Sequence, residues 1–544
     1  MNIRNAPKVF AHGILAFVML FSMIGISSEN VYASAAPIFV RVGLESNFLE
    51  RDSIPIHSNN LAIGLFAHGH FQVSGFLTTG STFQVQPNDL PFVRLDYVFH
   101  TLAEAHLAAG VYHQHGGVPA MLYQGFWGVY IPTTGTEHAQ MLAASFAGSS
   151  MVNPSNRRVS IHTDGRVVLV SDNASANLQV QDLSGITSLG ARSYRGVIEF
   201  GRFTGNRVTA VNIVYIEDYL LSVVPSEMPP SWHIEALKAQ TVAARTFTVY
   251  RLGRFAARGF DLCDTTASQV YVGVTNEHPN STLAVQLTRG IMIFHNGQPI
   301  EAVYSSSSGG VTENSENAWG SVLPYLRSVP DVHEVGAREW TRTITLSQLN
   351  QLLATQGINI GDATGVRLDK HANGRVQVLT ILGTTGSHSV SREPIRWFFS
   401  PSLDSRNFTI VGGTATGGGA TGQNTQLLPQ GTSQGTYVRD TFGFAFPLAV
   451  QGATVVTATG NQQLSGQITI RGAFGTAVAG GGTASAPALG VASSVTSTGH
   501  QIVFSGRGWG HGVGMSQHGA HGMAQAGFNF REILLHYYTG VEIR

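Results

Sequence analysis

The stretch EDYLLSVVPSEMPPSWHIEALKAQTVAARTFTVYR, from Glu217 to Arg251, decides the fold of this chain. It is the strongest helical pattern in the sequence, and Ser231 is suited to cap a helix of about 25 residues. Small side chains such as Ala239 and Ala243 would let a neighbouring element approach this helix closely. Short strand patterns precede and follow it. We therefore predict an α+β fold in which a β-rich core surrounds this long helix.

Glu227 lies immediately before the predicted helix, between the run LLSVVP and Met228-Pro229-Pro230. Burial among apolar side chains disfavours an ionised carboxylate and raises its pKa, which suits a general acid near neutral pH. Alternatively, Glu227 complements the helix N-terminus, where a carboxylate is favoured. The residues alone support both interpretations equally.

Two cations, Lys238 and Arg245, share one face of this helix with Val242. A cationic stripe on an alanine-rich helix is unusual for a purely structural core, so it points to substrate contacts. The alternative is that each cation is solvated while its apolar stem covers the surface. For Lys238 that alternative is equally good.

Composition limits the possible functions. A chain of 544 residues has room for several domains. Its 32 basic residues are balanced by 32 acidic ones, which argues against a nucleic-acid-binding protein with a strongly basic surface. The single cysteine, Cys263, excludes an intramolecular disulfide and a four-cysteine zinc site. We expect it to be a buried packing residue rather than a reactive thiol.

The N-terminus has the pattern of a secretory signal peptide. Arg4 and Lys8 precede a long apolar run, and Ala33-Ser34-Ala35 is typical of a cleavage site. Residues 1–35 are therefore predicted to be removed on export. Retention as an N-terminal membrane anchor is the alternative, because a run of about 18 apolar residues can span a bilayer.

The remaining chain divides by composition and periodicity. The pattern from Phe92 to Phe146 predicts a strand–helix–strand–helix unit, which resembles a SPOR-like peptidoglycan-binding module, in particular in the run FWGVYIPTTGTEHAQML; an unrelated α/β insert is the alternative. The predicted segments are an N-terminal β segment of the core (36–91), the SPOR-like α/β module (92–150), the main core (151–411), a Gly/Thr-rich linker (412–435), an insert of undetermined fold (436–500) and a C-terminal segment of the core (501–544).

Four long stretches resemble the SpoIID/LytB family of stage II sporulation protein D and amidase-enhancer relatives. They are EDYLLSVVPSEMPPSWHIEALKAQTVAARTF, DLCDTTASQVYVGV, SSSSGGVTENSENAWG and FSGRGWGHGVGMSQHGAHGMAQAGFNFREILLHYYTGVEI, in the family's order. The resemblance spans Arg157 to Val411 and Gln501 to Ile543. It implies an exported peptidoglycan lytic transglycosylase that acts in cell-wall remodelling during sporulation.

The resemblance implies that Glu227, the glutamate of the V-x-x-E-M run, is the catalytic acid/base. It would protonate the glycosidic oxygen of the β-1,4 bond between N-acetylmuramic acid and N-acetylglucosamine. As a carboxylate it would then take the proton of the muramic C6 hydroxyl, which closes on C1 to give a 1,6-anhydro product. This route needs no second carboxylate, unlike the usual two-carboxylate glycosidases. The implied substrate is glycan stripped of stem peptides, which a SPOR-like module would also bind.

Further matched residues are expected to line the substrate groove. Hydroxyl residues in this set are individually better explained as turn residues. With Lys238 and Arg245, the set consists of Gln269, Tyr271, Ser307, Ser308, Thr312, Glu313, Asn314, Trp319, Gly510, His511, Gly512 and Gln517.

The histidines of the last segment raise a metal alternative, since His518 and His521 could share a helix face with His511 nearby. Some members of the family hold zinc through His and Cys near the loop Tyr304–Gly310, which here contains neither. The glycine loop GRGWGHGVG lacks the GK[ST] ending of a phosphate-binding loop. We therefore predict no metal and no cofactor.

Two other functions remain as hypotheses. One is a wall-binding protein that enhances a separate N-acetylmuramoyl-L-alanine amidase without cleaving glycan. The other is a sugar-binding scaffold with an inactive site. The matched Glu227 favours the enzyme, with peptidoglycan glycan strands as its partner, possible contact with a cell-wall amidase, and a secreted or cell-wall location.

Overall fold

The computed structural model describes residues 37–411 and 500–544, apart from 79, 80, 124, 125 and 174, and adds strands between 437 and 498. The predicted signal peptide and linker lie outside these residues, as does most of the insert. The chain forms two compact units. The first comprises Met1–Ser231 with Thr248–Gly290, and the second comprises Trp232–Phe247 with Ile291–Arg544.

A seven-stranded sheet forms much of the first unit, in the order β17-β1-β16-β15-β12-β3-β4. Its strands are rich in buried valine and isoleucine, and Val211 packs with Phe260 and Cys263, which is buried as expected. The strands are β1 (Phe39–Gly43), β3 (Leu61–Ala67), β4 (His70–Leu77), β12 (Leu178–Asp182), β15 (Val197–Gly201), β16 (Thr209–Tyr215) and β17 (Leu262–Cys263).

The second sheet of this unit has ten strands, in the order β14-β13-β2-β5-β10-β11-β7-β8-β6-β9. A short parallel pairing of β11 with β7 joins its two halves. The strands are β2 (Ile54–His57), β5 (Thr82–Pro87), β6 (Phe92–Arg94), β7 (Val118–Tyr123), β8 (Phe126–Pro132), β9 (Ser150–Val152), β10 (Val159–Thr163), β11 (Arg166–Ser171), β13 (Ile186–Leu189) and β14 (Arg192–Arg195).

Strands β6 to β9 and the helices α2 (Leu102–Val111) and α3 (Thr136–Ser145) form a strand–helix–strand–strand–helix–strand unit, a split βαβ arrangement. Thr101 and Glu104 form a capping box that fixes the start of α2. The predicted helices are confirmed. Strand β7 was missed because Val118-Pro119 reads as a turn, and β9 because it is only three residues long. The SPOR-like resemblance remains a prediction.

The stretch from Glu217 to Arg251 forms two helices rather than one. Helix α4 (Ile216–Glu227) ends where Pro229-Pro230 deprive the chain of two N–H donors, and α5 (Ile234–Tyr250) follows after a short break. The predicted helix of about 25 residues is therefore wrong, and so is Ser231 as its N-cap. The ring of His233 caps α5 instead, since its Nδ1 accepts from the Glu235 N–H at 3.3 Å.

Two other helices in the first unit are α1 (Glu45–Phe48) and α6 (Pro279–Leu287). The sequence pattern assigned the region of α6 to strands and loops, which is wrong. Pro279 at the first helical position and the His278 side chain, which accepts from the Asn280 N–H, start this helix.

Several small sheets build the second unit, in the orders β21-β33-β25, β24-β23-β22-β32, β19-β18-β35 and β20-β34. The turn residues Ala372-Asn373-Gly374 predict a hairpin between two strand patterns, and the structure confirms it as β22 and β23. The strands are β18 (Ile293–His295), β19 (Gln298–Pro299), β20 (Tyr304–Ser305), β21 (Glu339–Thr345), β22 (Ala363–Lys370), β23 (Val376–Gly383), β24 (Ser387–Ser391), β25 (Phe408–Ile410), β32 (Ser494–Thr498), β33 (Gln501–Arg507), β34 (Met515–Ser516) and β35 (Glu542–Ile543).

Within the insert, the weak strand patterns form three antiparallel hairpins. They pair β26 (Tyr437–Arg439) with β27 (Ala445–Pro447), β28 (Thr454–Thr457) with β29 (Gly460–Gln463), and β30 (Ile468–Gly472) with β31 (Gly475–Ala479).

The C-terminal segment completes the second unit, because β33, β34 and β35 each pair with a strand from residues 293–410. A core of leucines, isoleucines and phenylalanines packs beneath the β21-β33-β25 and β22-β23 strands. Besides α5 as far as Phe247, the helices of this unit are α7 (Ser315–Trp319), α8 (Leu346–Thr355), α9 (Pro394–Phe398), α10 (Gln517–Gln525) and α11 (Phe530–Tyr537). Among all the helices of the described ranges, none is long and apolar enough to cross a bilayer.

Candidate functional site

Glu227 is the last residue of α4, and its side chain is partly buried. The Val270 N–H donates to its Oε1 at 3.0 Å. Burial raises the pKa of Glu227, and the hydrogen bond from Val270 opposes that shift without reversing it. Because Glu227 ends a helix, it does not lie in a helical first turn, where a carboxylate would be stabilised. The expected rise in pKa is confirmed.

The residues on either side of Val270 are anchored in the interior of the first unit. Gln269 accepts hydrogen bonds from the Tyr219 hydroxyl at 3.1 Å and from the Thr248 hydroxyl at 2.8 Å. The Tyr271 hydroxyl donates to Asn212 Oδ1 at 2.7 Å. Both residues expected to touch sugar are therefore buried, and their contacts hold in place the backbone that binds Glu227.

Aromatic rings add to this anchoring. The Tyr271 ring lies 5.0 Å from that of Tyr219 and 5.9 Å from that of Tyr194, measured between centroids. Burial raises the pKa of Tyr219 and Tyr271 well above the usual tyrosine value, so both stay neutral. The surroundings of Val270 thus hold neutral, hydrogen-bonded groups.

The cations of the predicted stripe on α5 have protein partners. Lys238 Nζ lies 2.7 Å from Glu235 Oε1 and 5.9 Å from the centroid of the Phe530 ring. Arg245 is only 1% exposed, and its Nη1 donates to the Ile291 carbonyl at 3.1 Å. These contacts favour packing for Arg245, while Lys238 keeps a partly exposed ammonium group.

Three of the predicted loop residues are buried and bonded within the second unit. Ser307 donates to Glu334 Oε1 at 2.5 Å, and Ser308 donates to Asp331 Oδ2 at 2.7 Å. The Thr312 hydroxyl accepts from the Val329 N–H at 2.8 Å. The turn interpretation of these hydroxyls fits their contacts. Sequence reasoning missed both carboxylates, because no local pattern links them to the serines.

Glu313 is fully buried, with its carboxylate saturated by donors. Its Oε1 accepts from the Asn314 N–H at 2.9 Å, from Asn317 Nδ2 at 2.8 Å and from Asn373 Nδ2 at 3.0 Å. Its Oε2 lies 3.5 Å from a guanidinium nitrogen of Arg406. Glu313 and Asn314 therefore help to shape this loop.

The glycine loop before α10 is built from left-handed turns. Gly508, Gly510, Gly512 and Gly514 all have positive φ, between 72° and 106°. A Cβ on Gly510 would lie 2.9 Å from Ser305 Cβ. The glycines thus let the loop backbone lie close to residues such as Ser305. His511 lies between two of these glycines in the loop.

His511 lies beside Trp319, with ring centroids 5.1 Å apart at 61°. Its Nδ1 accepts from the Val513 N–H at 3.0 Å. Burial is the main cause that lowers the pKa of His511 to about 4; nearby arginines add to the effect and Glu393 opposes it. His511 is therefore a neutral imidazole at physiological pH.

The structure also shows the contacts of the remaining predicted residues, which lie on α10. Gln517 Nε2 donates to Gln240 Oε1 at 3.3 Å. His518 and His521 share a helix face as predicted, and both contact the Trp232 ring, His521 by stacking at 4.5 Å. In the residues that the structure describes, no group of three or more His, Cys, Asp or Glu residues is arranged to hold a metal ion.

The predicted site residues therefore form two groups. Glu227, Gln269 and Tyr271 belong to the first unit. All the others belong to the second unit, where Trp319, His511 and the serine loop come together around buried charges.

Part of the chain is similar to a known protein family. Residues 204–295 match the family model described as SpoIID, stage II sporulation protein. The chain carries a SpoIID domain. That domain contains Glu227 and the Val270 backbone that binds it, and it also includes Lys238, Arg245 and Cys263.

Named relatives support the SpoIID/LytB resemblance. The Amidase enhancer of Bacillus subtilis (strain 168) is 31% identical over 330 residues, which cover 60% of this chain and 40% of that protein. Stage II sporulation protein D of the same organism is 28% identical over 354 residues, covering 61% of this chain and 76% of the relative. Stage II sporulation protein D of Bacillus amyloliquefaciens is 27% identical over 351 residues, which cover 61% of this chain and 75% of that relative. The chain thus matches less than half of the first relative.

Proposed function

We propose that this protein is an exported peptidoglycan lytic transglycosylase with Glu227 as its acid/base. The observation that carries the proposal is a carboxyl whose pKa is raised by burial and whose Oε1 is held by the Val270 N–H. A neutral carboxylic acid near physiological pH is what protonation of a glycosidic oxygen requires. The SpoIID match covers this residue and its partner.

One carboxyl group serves both halves of the reaction. The protonated Glu227 carboxyl donates its proton to the oxygen between N-acetylmuramic acid and N-acetylglucosamine, and the C1–O bond breaks. The resulting carboxylate then accepts the proton of the muramic C6 hydroxyl, whose oxygen bonds to C1. The products are a 1,6-anhydro end and a free hydroxyl, with no water consumed.

The test is release of 1,6-anhydro muropeptides from sacculi treated beforehand with an amidase. Glu227→Gln should lower the rate by at least about a hundredfold, because the amide cannot donate the proton. Glu277→Gln is the matched control, since it makes the same chemical change in an ion pair with Arg195 in the same unit. Equal product from the wild type and Glu227→Gln would refute the assignment.

A second candidate function, enhancement of a separate cell-wall amidase, is favoured by the 31% identical relative named Amidase enhancer. In that case the chain would bind glycan and raise the rate of the amidase on intact sacculi. Glu227→Gln would leave this enhancement unchanged, and no anhydro product would form without the amidase. The two assays on the same variant therefore separate the two functions.

Export and a role in sporulation complete the proposal. The signal-like N-terminus and the names of the sporulation relatives support an extracytoplasmic, cell-wall location. The split βαβ unit at residues 92–150 supports a SPOR-like glycan-binding role. Deletion of this unit should weaken retention of the chain on denuded sacculi more than on sacculi with stem peptides.

A further inference from the structure

The side chains of Trp319 and His511 lie side by side in the second unit. The indole is 43% exposed at the end of α7, and the imidazole lies against it. Because His511 Nδ1 accepts the Val513 N–H, the single proton of the neutral ring is on Nε2. Within the described ranges, no residue accepts a hydrogen bond from that Nε2–H.

Beneath the pair lies a buried cluster of charges. Arg406 Nε donates to Glu393 Oε1 at 2.8 Å, and Arg396 Nη1 donates to Glu393 Oε2 at 3.0 Å. Arg406 also reaches Glu313. Arg375 donates to the Ser308 and Val311 carbonyls rather than to a carboxylate. Three guanidinium groups thus lie close to Glu313 and Glu393, and Glu334 also acts on Arg375.

The three arginines each lower the pKa of His511, and Glu393 opposes them. Arg375 lies against Gly512, the next residue, where a Cβ would be 2.2 Å from its Nη2. Asp404 accepts from the Gly510 N–H through its backbone carbonyl, and its carboxylate is paired with Arg338. The low pKa of His511, about 4, follows from burial together with these cations.

We propose that Trp319 and His511 form a subsite for an N-acetyl sugar, in which the indole packs on the sugar ring and the His511 Nε2–H donates to the acetamide oxygen. A sugar whose acetyl group has been removed offers an ammonium group instead. That group cannot accept the hydrogen bond, and it is repelled by the guanidinium groups that act on His511. The subsite therefore selects N-acetylated glycan over de-N-acetylated glycan. The inference rests on the proposed function in taking glycan as the ligand.

Binding of two soluble tetrasaccharides tests the selectivity. The probes are fully N-acetylated chitotetraose and its fully de-N-acetylated counterpart, with the full chain carrying Glu227→Gln so that no cleavage occurs. We expect the acetylated probe to bind at least about tenfold more tightly at pH 6. Equal affinity for the two probes would overturn the proposal.

Variants of His511 test whether the preference for the acetylated probe arises at this subsite. His511→Phe removes the donor but keeps a ring, and it should weaken binding of the acetylated probe about five- to tenfold. His511→Gln keeps an N–H donor and should restore most of that loss. His521→Phe, at another partly exposed histidine of the same unit, is the control. No loss with His511→Phe, or the same loss with the control, would refute the subsite.

The protonation state of His511 is tested without any glycan. Nitrogen NMR of the full chain labelled at histidine should show Nε2 protonated and Nδ1 unprotonated for His511 from pH 8 to 5. The His511→Gln spectrum identifies the signal. A doubly protonated ring at pH 6 would overturn the proposal. Because neither assay uses product formation, loss of the transglycosylase assignment would leave these results interpretable.

Discussion

The surroundings of Glu227 and of His511 use the same physical effect to opposite ends. Burial raises the pKa of the Glu227 carboxyl and lowers that of the His511 imidazole, so in both cases it favours the neutral form. Near Glu227, the anchoring groups are neutral tyrosine, glutamine and backbone atoms. Near His511, they are buried arginines and glutamates.

The difference teaches which influences favour the neutral form of each group. For the carboxyl, desolvation raises the pKa and the Val270 hydrogen bond opposes it. For the imidazole, desolvation and three arginines lower the pKa, and Glu393 opposes them. We therefore expect the second region to depend on charge for its stability, and the first region to depend on packing and single hydrogen bonds.

The largest expected effect is the loss of Arg406. Arg406→Leu would leave Glu313 and Glu393 buried without their shared cation, which should lower the free energy of unfolding by about 3–5 kcal/mol. Urea denaturation measures it. Arg507→Leu, whose pair with Glu339 is exposed, should cost less than about 1 kcal/mol. Equal costs would mean that the buried charges do not stabilise the second region.

The next effect concerns the glycine loop. Gly512→Ala requires a strained φ of 74° and places a Cβ 2.2 Å from Arg375 Nη2, so we expect a loss of about 2–4 kcal/mol. Gly310→Ala has a similar strain at φ 102° but no atom within 4 Å, and should cost about 1 kcal/mol. Thermal unfolding compares the two. If both variants lose the same stability, contact with Arg375 is not what requires glycine.

A smaller effect is expected where hydrogen bonds alone anchor the first region. Tyr219→Phe removes a donor to the buried Gln269 Oε1 and should cost about 1 kcal/mol. The exposed Tyr97→Phe provides the reference and should change stability by less than about 0.5 kcal/mol. A loss from Tyr219→Phe as large as that from Arg406→Leu would remove the contrast between the regions.

The smallest effect is the pH dependence of stability at Glu227. Its pKa is raised in the folded chain, so the folded state binds its proton more tightly than the unfolded state. Stability from this group is therefore present below the ordinary glutamate pKa and is lost as the pH rises through the raised value. Glu227→Gln should melt slightly higher than the wild type at pH 8, with the difference shrinking by pH 4. A constant difference across this range would contradict the shift.

Much of the local structure could be predicted. The hairpin at Asn373, helix α8 and the α10 helix follow from turn residues, capping pairs and apolar periodicity. The start of α5 shortly after Pro229-Pro230 was predicted, but its length was overestimated, and α4 was not predicted as a helix of its own. Glu227 could be identified because its apolar neighbours are adjacent in sequence.

The partners of the second region could not be predicted from local patterns. Asp331 and Glu334 bind Ser307 and Ser308 across more than 20 residues. Arg375, Arg396 and Arg406 come from separate turns and a short helix, and in the sequence they look like ordinary surface cations. These arginines act on the buried glutamates and on His511 only because the fold buries them.

The sequence by itself determined the α+β character, the catalytic candidate Glu227 and the glycine-rich loop around His511, because these depend on residues that are neighbours along the chain. The tertiary structure alone decided that Gln269 and Tyr271 are buried anchors and that three arginines and Glu393 act on His511. Burial and charge balance depend on which distant segments pack together, and no short stretch of sequence contains that information.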